Sequence, residues 1–255
     1  MISLKTQDEI RIMSEGGKIL AEVLAKLVDL VKPGMSEIEL DGIAEKLILE
    51  KGAEPAFKRV TGYHHTLCVS TNDVVVHGIP SDYKFKEGDI IGIDCGVYYK
   101  GFNTDMAETI KIRNPKSEIR KDEIDRFLET GKRALEEAIK IAKIGNRIGD
   151  ISKTIQDIVE PAGYSVVRTL VGHGVGKSLH EEPEVPGFLS GNKDQTLLLA
   201  EGLTIAIEVI YNMGKSEVTG VKENNWTIKT RDGSLSSTFE KTIAITKNGP
   251  LVITK

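Results

Sequence analysis

The order of its helix and strand patterns restricts this chain to a mixed α+β architecture. Thr6 and Glu9 form a capping-box pattern, and apolar residues recur at helical spacing behind it. Ser36 and Glu39 repeat the pattern at the start of a shorter predicted helix that ends at Gly52. Segments rich in valine, isoleucine and tyrosine follow, so a pair of helices precedes the first predicted sheet.

The same plan occurs again downstream. The dipeptide Gly131-Lys132 echoes Gly17-Lys18, and the pattern over 148–159 predicts another short helix. The predicted strands are 89–98, 102–112, 203–211, 226–230 and 239–246. We predict one domain over residues 1–255, built by internal duplication from halves of about 1–118 and 119–255. Patterns common to all helices, without duplication, are the alternative explanation.

Charge and cysteine usage exclude several classes of protein. The chain has 34 basic and 38 acidic residues with a formal net charge of −4, and neither sign is clustered. It has no apolar run near the ~20 residues of a membrane span and no basic tail for nucleic acid. Cys68 and Cys95 are too few for a disulfide framework. We therefore expect a cytoplasmic protein that binds neither nucleic acid nor membrane.

Two aspartates interrupt a predicted β-hairpin of apolar strands. If a turn centred on Tyr99 and Lys100 joins the strands, Asp94 and Asp105 lie opposite each other, with Cβ atoms ~5 Å apart. Two like charges in a partly buried setting are unfavourable unless their pKa values shift or a cation binds. This spacing is consistent with a metal site, and equally with a solvent-facing aspartate pair.

Histidines and further carboxylates add candidates for the same site. His77, His173 and His180 lie among glycines or prolines, which predicts loops rather than apolar helix faces. Glycines on both sides of His173 let the backbone approach a ligand or metal closely. Glu208 and Glu240 interrupt apolar predicted strands, where a free carboxylate is costly.

The segment 171–178 resembles a phosphate-binding loop but does not match it. Such a loop has a glycine, then four residues of any type, then Gly-Lys-Ser. Gly176-Lys177-Ser178 matches the end of this motif, but Val171 stands where the first glycine is required. No amphipathic helix pattern follows whose N-terminus could hold phosphate. We therefore reject nucleotide hydrolysis as the function.

Taken together, these residues resemble type I methionine aminopeptidases along nearly the whole chain. The motifs His77-Gly78-Ile79-Pro80 and His180-Glu181-Glu182-Pro183 carry much of the likeness. The other matching segments are 72–76, 93–94, 104–105, 172–176, 207–208, 226–230 and 239–240. The resemblance implies an α+β "pita-bread" fold, in which two pseudo-symmetric α+β halves pack around a central dinuclear metal site.

The resemblance also implies a cofactor and a reaction. The metal ligands would be Asp94, Asp105, His173, Glu208 and Glu240. They would hold two divalent ions, and this ligand set does not choose among Co, Mn, Fe and Zn. A hydroxide bridging the ions would release the N-terminal methionine of nascent polypeptides. The family suggests a monomer, and the sequence leaves docking at the ribosome open.

Three residues would act on the substrate beside the metals. His77 and His180 would bind it, with His77 at the scissile amide and His180 stabilising the developing oxyanion. Glu208 would pass a proton to the leaving amine. Leu179 stands where relatives commonly carry phenylalanine, which leaves the preferred side chain open. The alternatives are a proline-directed or otherwise altered aminopeptidase, and a metal-free binding module of the same fold.

Overall fold

The computed structural model describes residues 2–113 and 122–255. The α-helices are α1 (Gln7–Leu30), α2 (Glu37–Glu50), α3 (Glu123–Ile141) and α4 (Ile148–Val159). The first strands are β1 (Glu54–Pro55), β2 (Leu67–Thr71), β3 (Val74–Val76), β4 (Ile90–Tyr99) and β5 (Phe102–Lys111). After α4 come β6 (Ser165–Val166), β7 (Val171–Gly174), β8 (Glu181–Pro186), β9 (Thr204–Asn212), β10 (Val218–Gly220), β11 (Ile228–Thr230), β12 (Ser236–Thr246) and β13 (Gly249–Val252).

The predicted helix starts are confirmed, because each depends on local hydrogen bonds. The Thr6 hydroxyl accepts from the Glu9 amide at 3.2 Å, and the Glu9 carboxylate accepts from the Thr6 amide at 2.9 Å. Ser36 and Glu39 form the same reciprocal pair at the start of α2. The predicted helix over 148–159 has the bounds of α4.

Each pair of helices covers one sheet. In the first sheet β4 pairs antiparallel with β5, β2 and β1, and α1 and α2 bury their apolar faces against it. In the second sheet the order is β13-β12-β9-β7-β8, with β6 on β9, and α3 and α4 pack against it. A third, three-stranded sheet has the order β10-β11-β3. The two large sheets therefore each carry a pair of helices on one face, and they meet along β5 and β12.

Threonine side chains join the two large sheets at their centre. Thr242 Oγ1 on β12 accepts from the Asp105 amide at 2.9 Å and donates to the Asp105 carbonyl at 2.8 Å. Thr109 Oγ1 on β5 bonds the backbone of Thr238 in the same reciprocal manner. These buried bonds align β5 with β12 and so bring the acidic residues of both strands to one place.

The predicted register of the aspartate hairpin is wrong. The turn residues are Lys100 and Gly101, with φ of 46° and 94°, so Tyr99 pairs with Phe102. This two-residue turn has the positive φ values that match the twist of the strands. Asp94 therefore pairs with Ala107 and Asp105 with Gly96. The aspartates are diagonal neighbours on one face, two positions from direct opposition.

The loop predicted around His173 is also wrong, because His173 lies in β7. Its neighbouring glycines serve close packing between strands. A Cβ at Gly172 would lie 2.4 Å from the Ala206 carbonyl oxygen, and one at Gly174 would lie 2.3 Å from that of Glu182. His77 lies in a loop as predicted, and His180 directly precedes β8.

Two expectations concern the chain as a whole. The predicted meeting point of the halves, near residues 118 and 119, lies outside the described residues, and the duplication stays a prediction. Over residues 2–113 and 122–255, none of the helices has the length and apolar character that crossing a bilayer requires.

Candidate metal centre

Five side chains from five strands line one cavity between the large sheets. They are the ligands expected from the sequence: Asp94 on β4, Asp105 on β5, His173 on β7, Glu208 on β9 and Glu240 on β12. Glu208 and Glu240 pair directly across β9 and β12. The sheet register therefore places two carboxylates from each sheet beside one imidazole.

The distances in this group are short enough for its members to share a cation. Asp105, His173 and Glu240 each offer one ligand atom, and these atoms lie within 4.8 Å of one another. His173 Nε2 is 3.6 Å from Glu208 Oε1 and 4.0 Å from Asp105 Oδ2. Donor atoms at such separations can share an ion that bonds each at about 2.0–2.2 Å.

Burial makes the negative charges of this group costly. It raises the pKa of Asp105 to about 7 and that of Glu208 to about 8. Burial, and then the charge of Asp105, raise the pKa of both Asp94 and Glu240 well above the ordinary range. Among the described residues, Asp94 Oδ1 and Glu240 Oε1 are buried without any hydrogen-bond partner. Such oxygens require either a proton or a cation.

The donor set fits divalent cations. When ionised, the carboxylates at this floor carry four negative charges, which two divalent ions would neutralise. Oxygen ligands with a single imidazole suit Mn, Fe, Co or Zn. The predicted metal site is therefore favoured over the alternative of a solvent-facing aspartate pair, because Asp105 is only 4% exposed.

The backbone of the neighbouring Gly174 orients the His173 imidazole ring towards the carboxylates. Its Nδ1 lies 2.8 Å from the Gly174 carbonyl oxygen, which can only accept, so Nδ1 carries the proton. The lone pair of Nε2 then faces the carboxylates. Burial, followed by the proximity of His180, lowers the pKa of His173 to about 4 and keeps the ring neutral. Histidines that bind a metal through one ring nitrogen commonly donate a hydrogen bond from the other nitrogen to a carbonyl oxygen, which fixes the orientation of the ring.

His77 and His180 stand at the wall of the same cavity. The His180 ring centroid is 4.3 Å from that of His173, at an interplanar angle of 72°. Burial lowers the pKa of both His77 and His180, so each is a neutral imidazole near pH 7. His77 has a positive φ of 55°, a strained conformation that sets the direction of its side chain. The structure thus brings together all the site residues expected from the sequence.

The remaining wall of the cavity is apolar. Tyr63 and Trp226 meet edge to face with centroids 5.1 Å apart, and the Tyr63 hydroxyl donates to the Leu67 carbonyl at 2.7 Å. The cavity has a volume of about 110 Å³. A cavity of ~150 Å³ can hold a benzene molecule, so this one suits a single slender side chain. The other apolar lining residues include Phe57, Val60, Cys68 and Leu179.

Sequence reasoning did not identify Phe57 and Val60 as wall residues. They lie in and next to a short 3₁₀-helix, and a Cβ at Gly96 would lie 2.8 Å from the Phe57 ring. No local pattern marks either residue, because its place in the wall depends on how this turn packs against β4. Tyr63, Cys68 and Trp226 also line this wall.

Comparisons with known proteins agree with this geometry. The sequence profile of metallopeptidase family M24 matches residues 11–247. A methionine aminopeptidase of Clostridium perfringens is 42% identical over 254 residues, covering 100% of this chain and 99% of the relative. The crystal structure of methionine aminopeptidase from Rickettsia prowazekii superposes with a TM-score of 0.94 at 33% identity, covering 100% of both chains.

A more distant similarity shows the fold alone. A prolidase from Pyrococcus furiosus has a TM-score of 0.78 at 24% identity, with 99% of this chain and 65% of that chain covered. The predicted "pita-bread" fold and the resemblance to methionine aminopeptidases are confirmed by the full-length matches. The family profile matches most of this chain, and the chain has a buried group of side chains that can bind divalent metal. This chain therefore belongs to metallopeptidase family M24.

Proposed function

We propose that this chain is an aminopeptidase that uses two divalent ions to remove the N-terminal methionine from newly made polypeptides. The observation that carries the proposal is the cavity itself, which has a carboxylate and imidazole floor under an apolar wall sized for one side chain. The relatives that match along the whole chain are methionine aminopeptidases. We assign the activity of these relatives to this chain on the strength of that cavity.

Asp94, Asp105, His173, Glu208 and Glu240 would hold the ions. Bound divalent ions supply Lewis acidity towards the scissile carbonyl and a water of lowered pKa, which makes amide hydrolysis feasible near neutral pH. The pairing of Glu208 with Glu240 and the diagonal placement of the aspartates favour two ions, because one would leave two buried negative charges uncompensated.

Protein side chains around the floor would do the rest of the chemistry. His180 would donate a hydrogen bond to the carbonyl oxygen as negative charge develops there. His77, which lines the same cavity, would contact the scissile amide. Glu208, whose side chain is 13% exposed, would pass a proton to the leaving amine.

The apolar wall would select methionine. An unbranched thioether side chain fits a slender cavity, and sulfur makes favourable contacts with aromatic rings such as those of Tyr63 and Trp226. The floor with its ions would also supply a binding site for the free α-amino group, which only the first residue of a peptide carries. Leu179 in the wall is smaller than an aromatic ring and allows some latitude in the side chain accepted.

We also propose that the enzyme acts in the cytoplasm as a monomer. Both Cys68 and Cys95 are free and buried, which suits a reducing compartment. Its substrates there would be the N-termini of nascent chains, with or without direct docking at the ribosome.

The test is release of free methionine from Met-Ala-Ser by the purified protein. The protein is stripped of metal and then assayed with Mn, Co, Fe or Zn, and an Xaa-Pro peptide serves as the competing substrate. We expect metal-dependent release of methionine and no cleavage before proline. Asp105→Asn should lose activity, whereas Glu108→Gln on the same strand, paired with Lys132 rather than facing the site, should keep it. Cleavage of the proline peptide alone would refute the methionine specificity.

A further inference from the structure

A buried lysine lies in the otherwise exposed segment that precedes α1. Ile2, Ser3 and Leu4 before it and Thr6 and Gln7 after it are exposed, whereas the side chain of Lys5 is only 3% exposed. The Lys5 amide donates to the Gly202 carbonyl at 2.7 Å, which fixes the backbone at this point. A lysine is almost never buried this deeply without a specific partner.

The partner of Lys5 is the residue that follows His180. Lys5 Nζ donates to Glu181 Oε2 in a short hydrogen bond and to the Ser3 carbonyl at 3.0 Å. The other carboxylate oxygen, Glu181 Oε1, accepts from the Ser178 amide at 3.1 Å. Glu181 therefore links the N-terminal segment to the loop that leads into His180, and its side chain is itself only 14% exposed.

The loop over residues 175–180 packs directly on this ion pair. A Cβ at Gly176 would lie 2.3 Å from Lys5 Cε and 2.8 Å from Glu181 Oε1, so the backbone of the loop lies directly against the ion pair. Asn103 holds the opposite side of the loop through the carbonyls of Gly176 and Lys177, at 3.0 and 3.1 Å. Contacts from two distant parts of the chain thus restrain both sides of the loop.

We infer that Lys5 is a positioning residue for His180, acting through Glu181. The ion pair anchors the loop so that the His180 ring stays 4.3 Å from His173 and faces the cavity. The catalytic consequence of this inference rests on the proposed function, because it assigns His180 to the reacting carbonyl. His180 would act only when negative charge develops on the scissile carbonyl oxygen, so its ring must already be in position before the reaction begins.

The first variant to test is Lys5→Met, which keeps the length of the side chain and removes its charge. We expect kcat for methionine release to fall by roughly 10- to 100-fold with little change in KM. Lys5→Arg should restore most of kcat because it can keep the ion pair. Lys193→Met breaks the 2.6 Å pair with Asp150 on α4, remote from the cavity, and serves as the matched control with unchanged kcat.

Amide hydrogen–deuterium exchange supplies a readout that does not depend on activity. In Mn-loaded protein, exchange over residues 175–181 should rise in Lys5→Met and stay unchanged in Lys193→Met. If Lys5→Met does not fold, Lys5→Met combined with Glu181→Gln removes the stranded charge and should show the same increase.

The outcomes separate the inference from the proposed function. Unchanged exchange over 175–181 in the folded variant would overturn the inference, and so would an unchanged kcat in an active enzyme. Increased exchange in a protein whose wild-type form releases no methionine with any metal would support the anchoring by Lys5. The same result would refute the proposed function.

Discussion

The buried carboxylates predict how the metal-free protein responds to pH. Burial raises the pKa of Glu208 to about 8 from its usual 4.5. Between these values the folded chain holds a proton that the unfolded chain has released, so the free energy of unfolding falls as pH rises. Bound divalent ions hold the carboxylates ionised, so the metal-loaded protein should not show this fall.

The histidines oppose part of this loss. Burial lowers the pKa of His77, His173 and His180 below 6.5, so the folded chain keeps them neutral, whereas the unfolded chain still releases about half a proton from each between pH 6.5 and 8.0. This release raises the free energy of unfolding by at most about 0.4 kcal/mol per histidine. From pH 6.5 to 8.0 the single proton on Glu208 contributes a loss of about 1.5–2 kcal/mol. For a chain of this length that loss lowers Tm by roughly 3–8 °C.

The assay is urea denaturation of the metal-free and the Mn-loaded protein at pH 6.5 and pH 8.0. We expect the metal-free protein to be less stable at pH 8.0, and the loaded protein to change little. Glu208→Gln should reduce the dependence in the metal-free form, because it removes the share that Glu208 contributes, whereas the buried Asp105, with its pKa raised to about 7, keeps its own share. Equal stability of the metal-free protein at both pH values would refute the argument that these carboxylates are buried without compensation.

Three further variants test other parts of the structure. Asp94→Asn should weaken Mn binding by roughly 10- to 100-fold in calorimetry while the circular dichroism spectrum stays that of the wild type. His180→Ala should lower kcat by roughly 10²–10³-fold with little change in KM, whereas a rise in KM with unchanged kcat would assign His180 to ground-state binding instead. Gly131→Ala in α3 places a Cβ 2.5 Å from the Tyr211 hydroxyl, and should reduce the free energy of unfolding by about 1–3 kcal/mol in urea without changing metal affinity.

Local chemistry made the helices predictable. Capping boxes at Thr6 and Ser36 involve residues three apart, and the pattern over 148–159 identified α4 to the residue. The predicted strands at 89–98 and 102–112 agree with β4 and β5 within one residue at every end. Each of these features depends on neighbours a few positions along the chain, which a sequence displays directly.

Register and long-range contact were not predictable in this way. The hairpin turn falls one residue later than expected, which moved Asp94 and Asp105 from opposite to diagonal positions. His173 was expected in a loop because of its flanking glycines, yet those glycines allow β7 to pack closely between β8 and β9. In both cases the sequence pattern is compatible with two backbone geometries, and packing between strands selects one of them.

The sequence by itself determined the helix pairs, the positions of β4, β5, β9, β11 and β12, and the identity of the acidic and histidine residues that line the cavity. Only the tertiary structure decided that Glu208 pairs with Glu240, that threonines join β5 to β12, and that Lys5 reaches Glu181 across the chain. Helix caps and apolar periodicity are short-range properties. The charge burial that makes this a metal centre arises only when strands distant in sequence exclude water together.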